Sequence, residues 1–293
     1  MPLFSENIAL AMSDDEFCDL RDVIYEYCGL FFEPDKKYLL EKRLSRRVSE
    51  LQLETFRDYA LYLRYDIKRD EEMAKVADNL TTNETYFFRE NYQLKAFSEE
   101  IITEIAARKR EKVLRIWSAG CSTGEEPYSI AMLVLEMRKK GLLKGWQVDI
   151  LGSDISHRVL GVARKGVYGK ASFRGVDEQW MKYFIDEGDR KRLADEPKSM
   201  VTFSHVNLLD PMKVELLGRM DVIFCRNVII YFDTKAKKRV METFYGMLDD
   251  EGYLMLGHSE SLMNITTQFT LKHFKNDMVY QKPLRHAVKE PAL

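Results

Sequence analysis

From residue 113 onward, short apolar runs alternate with longer stretches whose apolar residues recur at helical spacing. That alternation limits the fold more than any other feature. Residues 113–119, 148–153, 201–206, 221–225 and 253–256 read as strands, and 126–140, 157–165 and 234–248 as helices. Strands that alternate with helices predict a parallel sheet covered on both faces. A last run at 278–282 fits an added antiparallel strand. Residues 166–197 break the alternation with Gly169, Gly175, Gly188, Pro197 and many charges, so an insertion is expected at about 166–200.

The first 80 residues show no strand pattern. Ser13 followed by Asp14, Asp15 and Glu16 is a helix start: a capping hydroxyl, then acids in the first turn. Phe17, Leu20, Ile24 and Tyr27 follow at helical spacing, and Gly29 ends the run. Further helices are predicted at 35–51, 56–65 and 71–80, and another from 90 to 110. A chain of 293 residues suits two domains. We expect a helical domain over 1–80 and a larger α/β domain over 81–293.

Composition removes several functions. The formal net charge of -2 argues against a general nucleic-acid binder. Cys18, Cys28, Cys121 and Cys225 are scattered without a metal-ligand spacing, and the five histidines form no metal motif, so no metal is expected. The first residues lack the pattern of a secretory leader, and no apolar run approaches the roughly 20 residues needed to span a bilayer. A cytoplasmic location is the expectation.

The segment Ile116-Trp-Ser-Ala-Gly-Cys-Ser-Thr-Gly-Glu-Glu-Pro-Tyr128 joins the first predicted strand to a helix. Gly120 would let the backbone approach a ligand at the carboxyl end of that strand, where open α/β sheets bind ligands. Glu125 stands where a phosphate-binding loop needs lysine, and the glycines at 120 and 124 do not make a dinucleotide fingerprint. Acids at 125 and 126 would repel a pyrophosphate and suit a cation. Asp154 ends the next strand, where it could bind ribose hydroxyls or cap the following helix. Asn207 and Leu208 follow the third strand, as an adenine contact or an ordinary turn.

Four segments resemble CheR-type chemotaxis receptor methyltransferases: Asn83-Glu-Thr-Tyr-Phe-Phe-Arg-Glu90, Trp117-Ser-Ala-Gly-Cys-Ser-Thr-Gly-Glu-Glu-Pro-Tyr-Ser129, Phe224-Cys-Arg-Asn-Val-Ile-Ile-Tyr-Phe-Asp233 and Gly257-His-Ser-Glu260. They occur in family order. The resemblance implies a Rossmann-like class I methyltransferase sheet with a small N-terminal all-helical domain and an inserted subdomain. It implies transfer of a methyl group from S-adenosylmethionine to receptor glutamates, leaving S-adenosylhomocysteine. Asn83, Thr85 and Arg89 would reach the cofactor. Glu125 would contact its amino-acid part and Asp154 its ribose. Asn207, Leu208, Arg226 and Asn227 would complete the adenosine side. Arg89 and Tyr231 match positions that face the reacting centre.

The predicted helix 35–51 carries Lys36, Arg43 and Arg47 at helical spacing. A solvated face is the general reading. The resemblance favours docking of the acidic methylation helices of a receptor. In some family members a β subdomain grips a peptide at the receptor C-terminus. Residues 183–207 occupy that place, are a few residues shorter and lack closely spaced glycines after Tyr183-Phe184, so tail-peptide binding is not expected. The competing readings are a methyltransferase with another substrate, a non-catalytic adaptor and a nucleic-acid-modifying enzyme.

Overall fold

The computed structural model describes residues 10–81 and 83–284. Residues 1–9, on which the leader reading rests, lie outside that set. The chain divides into two units. One runs to residue 82 and takes in Tyr231–Asp233; the other holds Asn83–Ile230 and the chain from Thr234 onward.

The helical unit begins at a capping box. The Ser13 hydroxyl accepts from the Glu16 N–H, and the Glu16 carboxylate accepts from the Ser13 N–H at 2.8 Å, which satisfies donors that a first turn leaves open. Helix α1 (Asp14–Cys28) ends at Gly29, whose φ of 72° suits glycine. After α2 (Lys37–Glu50), Thr55 and Asp58 form a second capping box and start α3 (Phe56–Tyr65). Helix α4 (Arg69–Leu80) follows. Leu20, Leu40, Leu44, Val48 and Phe56 are fully buried in this bundle. So is Glu72, whose charge is met by Arg47 at 2.7 Å and by the Tyr59 hydroxyl at 2.8 Å. Residues Tyr231–Asp233 join this unit through a bridge between Leu30 and Phe232 and a hydrogen bond from the Tyr25 hydroxyl to Asp233 at 3.0 Å.

The second unit opens with α5 (Asn91–Ala96), a π-helical turn (Phe97–Ile101) and α6 (Ile102–Arg108), where one continuous helix was expected. Strand β1 (Val113–Ala119) and helix α7 (Glu125–Lys139) follow, then β2 (Gln147–Asp154) and α8 (His157–Lys165). The expected insertion is built on β3 (Val167–Tyr168), β4 (Phe184–Glu187) and β5 (Arg190–Leu193), an antiparallel sheet in the order β3-β5-β4, and closes with α9 (Asp195–Ser199). The chain returns to the main sheet with β6 (Val201–His205), α10 (Pro211–Glu215), β7 (Met220–Cys225), α11 (Thr234–Met247) and β8 (Leu248–Leu256). Strands β9 (Thr270–His273) and β10 (Met278–Gln281) close it.

The seven strands lie in the order β6-β2-β1-β7-β8-β10-β9. The first five are parallel, and β10 is antiparallel to both neighbours. Both faces are covered, as the alternation of strand and helix predicts. Leu114 and Ile116 of β1 join the cluster of Phe97, Ile101 and Val134. Trp117 points to the other face, 5.2 Å from the ring of Phe244 on α11. Its indole N–H reaches the Ser153 hydroxyl at 2.8 Å, so the large ring is buried without an orphaned donor. The order reverses at β1: β2 and β6 lie on one side, β7 and β8 on the other. In open α/β sheets, such a switch at the carboxyl ends of the strands is where ligands bind.

Among the described residues, no helix is long and apolar enough to cross a membrane. No group of three or more potential ligands could hold a metal ion among them either.

Candidate active site

The loop after β1 is shaped by residues that few side chains could replace. Gly120 has φ 76°, and a Cβ there would meet Val228 Cγ2 at 2.5 Å. Gly124 has φ 92° and would meet Ala163 at 2.8 Å. Ser122, between them, also has a positive φ, 49°. Eight non-glycine residues among those described have positive φ, and Phe88, Glu90, Ser122 and Asn227 all belong to this site. Such strain persists only where the surroundings over-determine it, and here it clusters at the switch point.

The polar groups form a row along the carboxyl edge. Asn207 follows β6, Asp154 ends β2, Gly120 follows β1, and Arg226 and Asn227 follow β7. Asp154 is buried and accepts from the Ser122 N–H at 2.8 Å and the Ser156 N–H at 2.9 Å. It therefore ties the β1 loop to the start of α8. Asn207 folds back on the Leu209 N–H at 3.0 Å in a local turn, and Leu208 beside it is buried. Arg226 and Asn227 do not stand on the side of Asp154 and Asn207, where the adenosine was placed. They lie across β1, two strands from Asp154.

Glu125 is 1% exposed, and its carboxylate accepts from the Thr123 hydroxyl at 2.6 Å and the Ser172 hydroxyl at 2.8 Å. Burial pushes its pKa up, and the two hydroxyls work against that rise. Glu126 accepts from the Ser118 hydroxyl at 2.6 Å and pairs with Arg226 at 3.1 Å. Arg226 is buried, and its other arm reaches the carbonyls of Arg89 and Glu90 and the Glu90 carboxylate. Its guanidinium therefore braces three segments, and its Nε has no partner.

The linker residues are held by the insertion. Phe87 packs against Tyr168, Phe173 and Phe184, and Phe88 stacks on Trp180 with centroids 4.4 Å apart. The Tyr168 hydroxyl donates to the Thr123 carbonyl at 2.9 Å, so the small sheet also supports the Gly120 loop. Asn83 and Thr85 are half-buried, and the Asn83 carbonyl accepts from the Ser122 hydroxyl at 3.4 Å. Arg89 is partly exposed and donates to the Glu84 carbonyl at 2.7 Å. Tyr231 belongs to the helical unit, with its carbonyl bound by the Phe31 N–H at 3.2 Å.

Two carboxylates not singled out from the sequence organise the end of β7. Glu260 is partly buried and accepts from the backbone N–H groups of Asn227, Val228 and Gly257 at 2.7–2.9 Å. Burial raises its pKa against those hydrogen bonds. Glu90 accepts from the Asn227 side chain at 3.2 Å and the His258 N–H at 3.1 Å. Both glutamates close quoted motifs, and no local pattern marks either as structural. Counting them, the site gathers the carboxylates of Glu90, Glu125, Glu126, Asp154 and Glu260 against the guanidiniums of Arg89 and Arg226. Such a surplus of negative charge fits a cationic ligand.

The three docking residues do not share one free face. Lys36 lies in a short 3-10 turn before α2 and pairs with Asp35 at 2.9 Å. Arg43 donates to the Leu80 carbonyl at 2.6 Å, and Arg47 holds Glu72 and Glu50. Positions 43 and 47 face α4, because the apolar stripe of α2 turns that side inward. Tyr38, Lys42 and Arg46 are the exposed positions beside them.

Residues 83–277 match the CheR methyltransferase SAM-binding domain, and residues 15–81 match the CheR methyltransferase all-alpha domain. The chain is 40% identical to chemotaxis protein methyltransferase 2 of Vibrio cholerae, over 94% of this chain and 95% of that protein. It is 38% identical to the chemotaxis protein methyltransferase of Vibrio parahaemolyticus, over 93% and 98%. With that of Salmonella typhimurium the identity is 35%, over 90% and 89%.

Proposed function

We propose, from the premise that this chain belongs to the CheR methyltransferase family, that it esterifies glutamate side chains on the cytoplasmic methylation helices of chemotaxis receptors. By that membership it is an S-adenosylmethionine-dependent methyltransferase. The observation that carries the site reading is the row of Asn207, Asp154, Gly120 and Asn227 along one sheet edge, within an excess of carboxylates.

S-adenosylmethionine, when bound, supplies a methyl group on a positively charged sulfur. Gly120 would let the backbone approach it, Asp154 would take the ribose hydroxyls, and Asn207 with Leu208 would hold the adenine. Glu125, with Asn83 and Thr85, would face the amino-acid part. Arg226, spent on Glu126 and Glu90, acts as a brace for the site.

A glutamate carboxylate, with an ordinary pKa near ~4.3, is already a nucleophile at neutral pH. The chain therefore has to align it rather than deprotonate it, and alignment supplies at most roughly 7–11 kcal/mol in the best intramolecular cases. Arg89 would orient the carboxylate through a forked hydrogen bond, exchanging its contact with the Glu84 carbonyl for the substrate.

The test incubates the protein with radiolabelled S-adenosylmethionine and receptor-bearing membranes, then treats the washed membranes with mild base. Label released as volatile methanol is the expected result and marks carboxyl methyl esters. Base-stable label would exclude glutamate. For Arg89→Ala we expect turnover at saturating cofactor to fall at least about tenfold, the scale of a lost charged hydrogen bond. Full turnover would remove Arg89 from this role.

A further inference from the structure

We propose that Glu90 is a positioning residue that sets the polarity of the Asn227 side-chain amide, so that Asn227 presents an acceptor to the α-ammonium of the bound cofactor. The inference rests on the cofactor reading above and goes beyond it in assigning an acceptor role to Asn227 Oδ1 and a positioning role to Glu90.

The argument starts from what a carboxylate can do. An ionised glutamate only accepts hydrogen bonds, so the group that Asn227 turns toward Glu90 must be its NH2. Nδ2 lies 3.2 Å from Glu90 Oε1. The opposite end of the amide, Oδ1, then points away from Glu90. It is buried and has no hydrogen-bond partner. An unpaired buried acceptor is costly, and a ligand donor that reaches it recovers that loss. Asn227 as a whole is partly exposed.

The surroundings keep both residues in place. Asn227 holds φ 58°, a left-handed conformation that asparagine tolerates better than most residues. Glu260 clamps that turn by accepting from the N–H groups of Asn227 and Val228. A Cβ on Gly257 would stand 2.8 Å from both the backbone N and the Nδ2 of Asn227, so glycine there leaves the amide its space. Glu90 itself has φ 49° and is fixed by the His258 N–H and Arg226. Burial works to neutralise Glu90, but Arg226 and these donors outweigh it and hold its pKa below the ordinary value. It stays an acceptor at neutral pH.

Position selects the ligand group. Asp154 and Asn227 end strands on opposite sides of β1, two strand spacings or roughly 10 Å apart. With the ribose at Asp154, the far end of the ligand that lies toward β7 is the amino-acid end. That end carries an ammonium, which donates, and a carboxylate, which only accepts. An unpartnered Oδ1 suits the first and repels the second.

The test is calorimetric and needs no turnover. S-adenosylhomocysteine and its desamino analogue, which lacks only the α-amino group, are titrated into the wild-type protein, Glu90→Gln and Asn227→Gly. Glycine keeps the left-handed backbone and removes the amide. The wild type is expected to prefer S-adenosylhomocysteine by about tenfold or more, as for a hydrogen bond to a charged group. Both variants should lose most of that preference while binding the analogue nearly as before. Equal weakening of both ligands, with the preference intact, would reduce Glu90 to a structural role and overturn the inference. If Glu90→Gln does not fold, the preference of Asn227→Gly decides. A wild-type protein that binds neither ligand would overturn the cofactor reading itself, and the two failures are thereby distinct.

Discussion

At the scale of single residues, the site separates groups that name themselves in the sequence from groups that do not. Gly120 and Asp154 were legible because each follows an apolar run directly, and the end of a parallel strand is where ligands bind. Glu90, Ser172 and Glu260 were not, because their partners arrive from 137, 47 and 33 positions away. Ser172 gives a prediction. Its hydroxyl is one of two that hold the buried Glu125 carboxyl toward its charged form. The sign follows from the direction of the shift. A raised pKa means that protonation removes the charge at a higher pH than for an exposed glutamate, and affinity for a cationic ligand falls as pH drops through that value. Ser172→Ala takes away one lowering contact, so the fall should move to still higher pH. Titrating S-adenosylmethionine, whose sulfonium leaves it with a net positive charge, at several pH values checks this. An unmoved midpoint would mean that Glu125 does not answer to the ligand's charge.

At the scale of elements, burial decided what could be read. The five parallel strands stood out as apolar runs because helices cover them on both faces. Strand β9 was missed because three of its four residues are exposed and it lies at the sheet edge. Strands β4 and β5 escaped for another reason: they are mostly charged, and the pairs Asp186–Lys191 and Glu187–Arg192 join them across the hairpin. Helix α2 shows the opposite error, in which a charge pattern was legible and its use was not. Arg47 serves the buried Glu72, and removing one partner of such a pair costs about 3–5 kcal/mol. Glu72→Ala should therefore lower the urea midpoint of the helical unit, followed by circular dichroism, by an amount on that scale. A loss below about 1 kcal/mol would show that the pair behaves like an exposed one. Charge reversal at Arg43 or Arg47 would confound docking with unfolding. Lys42→Glu with Arg46→Glu, on the exposed positions, is the cleaner variant. It should raise the receptor KM several-fold and flatten its salt dependence, and an unchanged KM would take α2 out of substrate docking.

For the whole molecule, the division into two units was visible as a change of period, from helices alone to strands alternating with helices. The return of Tyr231–Asp233 to the helical unit was not, since a three-residue segment carries no period. The division can be tested with probes that the sequence supplies. Trp117, Trp146 and Trp180 all fall in the second unit, so tryptophan fluorescence follows that unit alone, whereas helical circular dichroism follows both. The eight residues proposed to hold the cofactor, Asn83, Thr85, Gly120, Glu125, Asp154, Asn207, Leu208 and Asn227, also lie in the second unit. A ligand present at about a hundred times its Kd stabilises the state it binds by about 2.7 kcal/mol. Saturating S-adenosylhomocysteine should therefore shift the fluorescence transition to higher urea and leave the part of the dichroism signal that belongs to the helical unit where it was. The two traces should then separate, which a single cooperative transition cannot produce. If they instead shift together by the same amount, the binding energy is shared by both units. The helical domain would then be part of the folded state that the cofactor selects, rather than a module that folds independently of it.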